Sequence, residues 1–222
     1  MAETTPELDA VSLSALLSSR LCHDLINPVG AIGSGLEVID DPAVDPDMRD
    51  SALDLIRTGG GKSIALLKYA RLAYGAAGGF GAQIPLEEAE AALRDIFKWT
   101  KAELVWRLRL GLAPKDQVKA LLILGHAAAD CVPRGGTVTI LGSPEAFRLK
   151  TIGVRTILNE ELVAAFAGAP AELKPKFAPA YLAGLLARQS GGGVEARFDG
   201  ETIVFEARFA AVAEAPVVLT AG

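Results

Sequence analysis

A histidine beside a carboxylate, with a proline five positions further on, makes "RLCHDLINPVGAIGSG" (residues 20–35) the stretch where this chain could do chemistry. An unperturbed imidazole has a pKa of about 6.5, so at neutral pH much of the population of His23 offers a free ring nitrogen as a nucleophile. The surrounding residues are expensive for a helix. Pro28 deprives the Asp24 carbonyl of its helical donor, at a cost of roughly 3 kcal/mol in a plain helix interior. Gly30, Gly33 and Gly35 each cost roughly 0.5–1 kcal/mol relative to alanine. Fold stability does not ask for any of them. Two other groupings suggest chemistry only superficially. "GGGKS" at residues 59–63 lacks the first glycine of a phosphate-binding loop, which falls at Ile56, and it sits inside a helical pattern rather than after a strand. His126 and Cys131 read as a packed helix face rather than as metal ligands.

The elements that must carry His23 follow from periodicity. Leu8, Val11, Ala15, Ser18, Cys22, Leu25, Val29, Ile32, Leu36 and Ile39 recur at steps of three and four, a heptad-like seam of about nine turns. His23 lies one position past the seam residue Cys22, so it points about 100° away and should be exposed on the flank. One alternative ends a first helix at Leu25 or Ile26 and begins another with Asn27 as its cap and Pro28 in its first turn. The seam, however, continues in register across the site. "DDPAVDPD" breaks the pattern, and Asp45-Pro46 opens a second helix that runs to about Tyr74, where "GAAGGFG" stops it. Two long helices joined by a short turn are antiparallel, and such a hairpin cannot bury its seam on all sides. A second copy completing a four-helix bundle is the economical solution.

After the glycine-rich segment the texture changes. Helical periods at "PLEEAEAALRDIFKWTKA", "PKDQVKALLILGHAAADCV" and "FAPAYLAGLLARQS" alternate with strand-like runs at "LVWRLRLGL", "GGTVTILGS", "EAFRLKTIGVRT" and "GGVEARFDGETIVFEARFAA". Helices mixed with antiparallel strands predict an α+β sandwich, with the helices on one sheet. The expected organisation is a helical hairpin at 1–77, an α/β sandwich at 82–210 and a fraying Ala- and Pro-rich tail at 211–222.

Composition narrows the function. Half of the 222 residues are apolar, enough for a sizeable core. The formal net charge of −5 (22 Lys and Arg against 27 Asp and Glu) gives no footprint for a nucleic-acid binder. The N-terminus has no secretory pattern and no apolar run is long enough to span a bilayer, so a cytoplasmic protein is expected, with no membrane partner. Cys22 and Cys131 support neither a disulfide framework nor a zinc site; both should be reduced and at least partly buried.

"HDLINPVGAI" resembles the phospho-acceptor box of two-component histidine kinases. In that family the hairpin dimerises and the histidine carries a phosphoryl group, so the resemblance maps His23, Asp24, Asn27 and Pro28 onto the motif. It implies that Asp24 orients the ring or accepts its proton. The costly residues then shape a docking face, to which Arg20, Ile26, Asn27 and Gly30 belong on the first helix and Lys62, Ser63 and Leu66 on the second, counted back from the turn. The spacing of Asp24 and Asn27 also resembles a motif that positions water for dephosphorylation.

The second half is similar to the same family's ATP-binding domain, with its chemistry missing. The position of the metal-binding Asn is Ala127, and that of the adenine-reading Asp is Ile152. Glycines of the first glycine box fall at Val154 and Thr156, while Glu160, Glu161, Leu162 and Phe166 continue the pattern; Phe177 and Pro179 replace the second box. Without those groups nucleotide affinity has no source. A retained acceptor box with an eroded ATP pocket resembles the ChpT-type histidine phosphotransferases of alphaproteobacteria, over the chain to about Phe209. That resemblance implies a phosphotransferase of a two-component phosphorelay, homodimeric, whose His23 shuttles a phosphoryl group between the receiver domain of a hybrid histidine kinase and response regulators. It implies no cofactor and no metal of its own, Mg²⁺ being supplied by the receiver. An ATP-dependent sensor-kinase core and a dimeric adaptor without chemistry are the competing readings.

Overall fold

The computed structural model describes residues 8–75, 83–109, 111–143 and 145–210. The glycine-rich segment 76–82 and the tail from 211 onward lie outside the described residues.

The chain opens with two long helices, α1 (Ala10–Asp40) and α2 (Pro46–Ala73), packed side by side. The Asp9 carboxylate caps α1 by accepting from the Val11 and Ser12 amides, both at 3.0 Å. Asp45 caps α2 through the Met48 amide at 2.9 Å, with Pro46 in the first turn, as predicted. α1 is one continuous helix with Pro28 inside it, so the two-helix alternative does not hold. α2 comes close to α1 at Pro28. A Cβ on Gly59 would stand 2.5 Å from the Pro28 carbonyl oxygen and 2.9 Å from Ile32 Cγ1. Gly35 answers from α1, where a Cβ would meet Ile56 Cγ1 at 2.7 Å. The glycines therefore divide: Gly30 and Gly33 face open space, but Gly35 is buried between the helices and belongs to no docking face.

Beyond the hairpin, β1 (Gln83–Pro85) leads into α3 (Leu86–Phe97), followed by β2 (Ala102–Trp106), β3 (Leu112–Pro114), α4 (Lys115–Asp130), β4 (Gly136–Ser143) and β5 (Ala146–Gly153). The remainder is α5 (Glu160–Ala167), a 3₁₀ turn at Pro175–Phe177, α6 (Ala178–Gln189), β6 (Gly193–Asp199) and β7 (Thr202–Arg208). Five strands form one sheet in the order β2-β4-β5-β7-β6, and β1 pairs with β3 in a separate antiparallel ladder. Alternation decides the buried face: Val138 and Ile140 of β4, Phe147 and Leu149 of β5, and Ile203, Phe205 and Ala207 of β7 are all buried against the helices. Thr137, Thr139, Arg148 and Lys150 occupy alternate positions. The result is the expected sandwich of helices on one sheet. Two details differ. β2 runs parallel to β4, because α4 provides the crossover that a parallel neighbour needs. "LVWRLRLGL" is two short strands rather than one, broken after Trp106.

α4 ties the halves together. Leu121, Leu122 and Leu124 are fully buried, since the helix packs on the sheet side and also on α2, α3 and α6. Burying each such side chain contributes about 1.5–3 kcal/mol. Leu13 of α1 and Ala65, Leu66, Tyr69 and Leu72 of α2 enter the same cluster as the α3 and α4 residues. Two hydrogen bonds cross as well: Tyr69 Oη donates to the Leu122 carbonyl at 3.3 Å, and the Leu8 amide donates to Tyr181 Oη at 2.9 Å.

The seam stays largely open in the single chain. Val11, Val29 and Leu36 are exposed on α1, and Met48, Leu55, Ile64 and Leu67 on α2. Cys22 is exposed too, contrary to the expectation that both cysteines are at least partly buried, because it lies on this uncovered stripe. Cys131, at the end of α4, is buried, and burial pushes its thiol up to about 12.

Candidate functional site

His23 stands on the solvent flank of α1 with 77% of its side chain exposed. Its Nδ1 lies 3.4 Å from Asp24 Oδ1. The other oxygen of the same carboxylate, Oδ2, accepts from Arg20 Nε at 2.7 Å. Exposure falls steeply along this chain of contacts, to 19% for the Asp24 side chain and 16% for Arg20. Arg20, expected on the docking face, is therefore mostly covered and engaged in an ion pair. With Nδ1 turned to the carboxylate, ring geometry places Nε2 on the opposite edge, away from the protein's own acceptor.

A cleft of about 210 Å³ opens beside the imidazole. Arg20, His23, Asp24 and Asn27 of α1 and Lys62 and Leu66 of α2 form one wall. The other wall belongs to the sandwich: Ile96, Trp99 and Thr100 around the end of α3, and His126 and Asp130 of α4. Trp99 fits there because Gly61 has no side chain; a Cβ would come within 3.0 Å of the indole ring.

The predicted docking residues thus separate. Ile26, Asn27 and Gly30 are exposed near His23, and Lys62 borders the cleft. Ser63 and Leu66 are buried, which corrects their assignment to a docking surface. Ser63 lies one turn beyond Gly59, on the α2 face that meets α1, and Leu66 belongs to the core shared with α3 and α4. Sequence reading did not place Trp99, Thr100, His126 or Asp130 beside His23. Only the last two left a signal, two polar groups four apart in the apolar C-terminal half of α4; Trp99 arrives through tertiary packing.

His126 is a packed residue, as read from the sequence. Its ring meets Tyr69 edge-on, with centroids 5.1 Å apart. Loss of water around the ring lowers its pKa, a trend that the nearby Asp130 carboxylate opposes. Burial likewise raises Tyr69 well above the usual phenol range and pushes Tyr74 up to about 12. Among the described residues, no group of three or more His, Cys, Asp or Glu side chains is placed to hold a metal ion. Among the same residues no helix is long and apolar enough to cross a membrane.

A second cavity of about 240 Å³ lies on the far side of His126, and Arg20, His126 and Asp130 border both. Ala127, Phe177 and Pro179, which the sequence resemblance aligns with the Asn and second glycine box of a nucleotide pocket, line it. Ile152 and Val154 are exposed and take no part in its lining.

Comparison with known proteins follows this geometry. Residues 86–202 match the family described as histidine phosphotransferase C-terminal domain. The chain is 40% identical over 133 residues to the protein phosphotransferase ChpT of Brucella abortus (strain 2308); the match spans 60% of this chain and 62% of that relative. A 1.7 Å structure of a bacterial phosphotransferase is 33% identical, covers 91% of this chain over 98% of its own, and superposes with a TM-score of 0.80. The Acinetobacter baumannii histidine kinase AdeS matches far more loosely, at 13% identity over 85% of this chain and 98% of its own, with a TM-score of 0.42.

Proposed function

Since the chain belongs to the histidine phosphotransferase family, we propose that His23 carries a phosphoryl group between receiver-domain aspartates of a cytoplasmic phosphorelay, without drawing it from ATP. The observation that carries this reading is an exposed imidazole whose Nδ1 is tethered to an ion-paired carboxylate, leaving Nε2 free to face a partner. Nε2 attacks the phosphorus of an aspartyl phosphate on a hybrid kinase's receiver. The N–P bond forms while the P–O bond to the receiver carboxylate breaks, and its electron pair leaves on that carboxylate. The ring becomes a cation with its proton on Nδ1, which Asp24 stabilises. Delivery to a response regulator runs the same steps in reverse. Receivers supply Mg²⁺ and basic side chains, so this chain has only to position the imidazole, the main task in phosphoryl transfer.

Independence from ATP is supported by the residues around the second cavity. Ala127 in its wall offers no amide oxygen for a metal, Phe177 and Pro179 stand where the resemblance would put glycines, and Ile152, exposed outside the cavity, has no carboxylate for an adenine amino group. Mixing the protein with a ³²P-labelled phosphoreceiver, with and without ATP, tests the proposal. Acid-labile, base-stable label should appear in both cases at the same rate. Labelling from [γ-³²P]ATP alone, or saturable ATP–Mg²⁺ binding in the micromolar range by calorimetry, would restore the kinase reading. No label from either donor would leave an adaptor.

The exposed apolar positions of α1 and α2 support a second copy as their cover, which completes a four-helix bundle. Introducing charge at Leu36 and Leu55 together (Leu36→Glu, Leu55→Glu) should halve the mass seen by light scattering, to about that of the 23.1 kDa chain. A wild-type protein already at that mass would remove the dimer from the proposal.

A further inference from the structure

An aspartate next to an exposed histidine does not by itself hold the ring. The His23–Asp24 contact is 3.4 Å long and its histidine is open to water, a setting in which ion pairs contribute about 0–1 kcal/mol. Something must fix the carboxylate. Arg20 does so from the covered side, through a charge-assisted bond of 2.7 Å to Oδ2 that leaves Oδ1 for the imidazole.

Helix stability is a poor reason for this pair. Acid and base four apart add a few tenths of a kcal/mol when the acid comes first, and less in the reverse order found here. The surroundings argue for another role. Arg20 borders the second cavity beside Tyr69 and Tyr74 of α2 and His126 and Asp130 of α4. The two phenols and the imidazole are held neutral by burial, so they do not compete with Asp24 for the guanidinium charge. The carboxylates that face it are Asp24 on its own helix and Asp130 on α4. Arginine's planar fork keeps one orientation between such walls better than a lysine ammonium would.

We propose that Arg20 is a positioning residue: seated between the hairpin and the sandwich, it pins Asp24 so that Oδ1 holds the His23 proton on Nδ1 and Nε2 stays bare as the nucleophile. This deepens the phosphotransfer reading and rests on it for the identity of the nucleophile. It reassigns Arg20 from partner contact to chemistry. It also gives the sandwich a part in the reaction, because α4 supplies a wall of the guanidinium's seat.

The test needs a readout that docking and folding do not move. The chain contains two histidines, so ¹⁵N-histidine labelling gives two ring systems, and His23→Ala identifies which is which. At pH 8 the wild-type His23 ring should be mainly the Nδ1–H tautomer. Arg20→Ala should shift it toward Nε2–H and slow labelling by phosphoramidate, a small donor that needs no docking surface, by about tenfold or more. Arg20→Lys, which keeps the charge and guards against a folding defect, should fall between the two. Asp24→Asn should reproduce the tautomer shift, and adding Arg20→Ala to it should change nothing further. A wild-type ring already in the Nε2–H form overturns the proposal, as does an unchanged tautomer in Arg20→Ala. So does a loss of labelling confined to the phosphoreceiver, which returns Arg20 to docking. Should wild-type protein take no label at all while the tautomer shift is still seen, the nucleophile reading fails and the positioning role of Arg20 stands.

Discussion

His23→Ala should reduce phosphoryl uptake from a phosphorylated receiver to background, a loss of at least about a thousandfold, while leaving the fold intact. Removal of a nucleophile eliminates the covalent route altogether rather than slowing it, and other members of such a site do not substitute for it. The fold should be indifferent because the side chain is 77% exposed and, among the described residues, its polar contact is the 3.4 Å approach to Asp24. Surface substitutions of this kind change stability by about 0.5 kcal/mol or less. Label counting on denaturing gels measures the first effect, and a melting curve with light scattering measures the second. Wild-type labelling in the alanine variant would place the acceptor elsewhere.

Gly59→Val should be the most damaging small change in the hairpin. The first atom its Cβ meets, at 2.5 Å, is the Pro28 carbonyl oxygen, and a backbone atom cannot rotate aside as a side chain can. The helices must part. Overpacking costs typically 1–3 kcal/mol, and the helix propensity gained over glycine returns only a few tenths. A net loss of about 2 kcal/mol corresponds to a fall of roughly 4–8 °C in Tm for a protein of this size. Phosphotransfer should also suffer, since the displaced stretch of α1 begins one turn after His23. Gly60 is the control: a Cβ there meets nothing within 4 Å, so Gly60→Ala should raise Tm slightly. A Gly59→Val protein that melts at the wild-type temperature would show that the helices are not in contact at Pro28.

What could be read from the sequence depended on how local the cause was. Both hairpin helices, the Asp45 cap and the exposed flank position of His23 follow from periodicity and from residues adjacent in the chain. The sandwich was legible for the same reason, as alternation in β4, β5 and β7. Burial set by distant partners was not. Ser63 and Leu66 sit on the expected side of α2 by counting, yet Ser63 is buried towards α1 and Leu66 in the core shared with α3 and α4, and no local pattern announces it. Gly35 and Gly59 look like weak points in their helices and are the places where each helix admits the other. Arg20 was read as a surface cation because arginines usually are; its seat exists only after α4 arrives. Trp99, in a loop, carried no sign of the histidine it approaches.

The shared core between hairpin and sandwich also bears on how such a chain can change over generations. Tyr69, Leu66 and Leu72 are buried in the same cluster as residues of α3 and α4. Deleting the sandwich would strand that apolar surface in water, whereas exposed positions such as Ile152 and Val154 touch nothing the hairpin leans on and are free to vary. Substitutions can therefore accumulate on the open face of the sandwich, but the half that braces the hairpin has to be inherited whole.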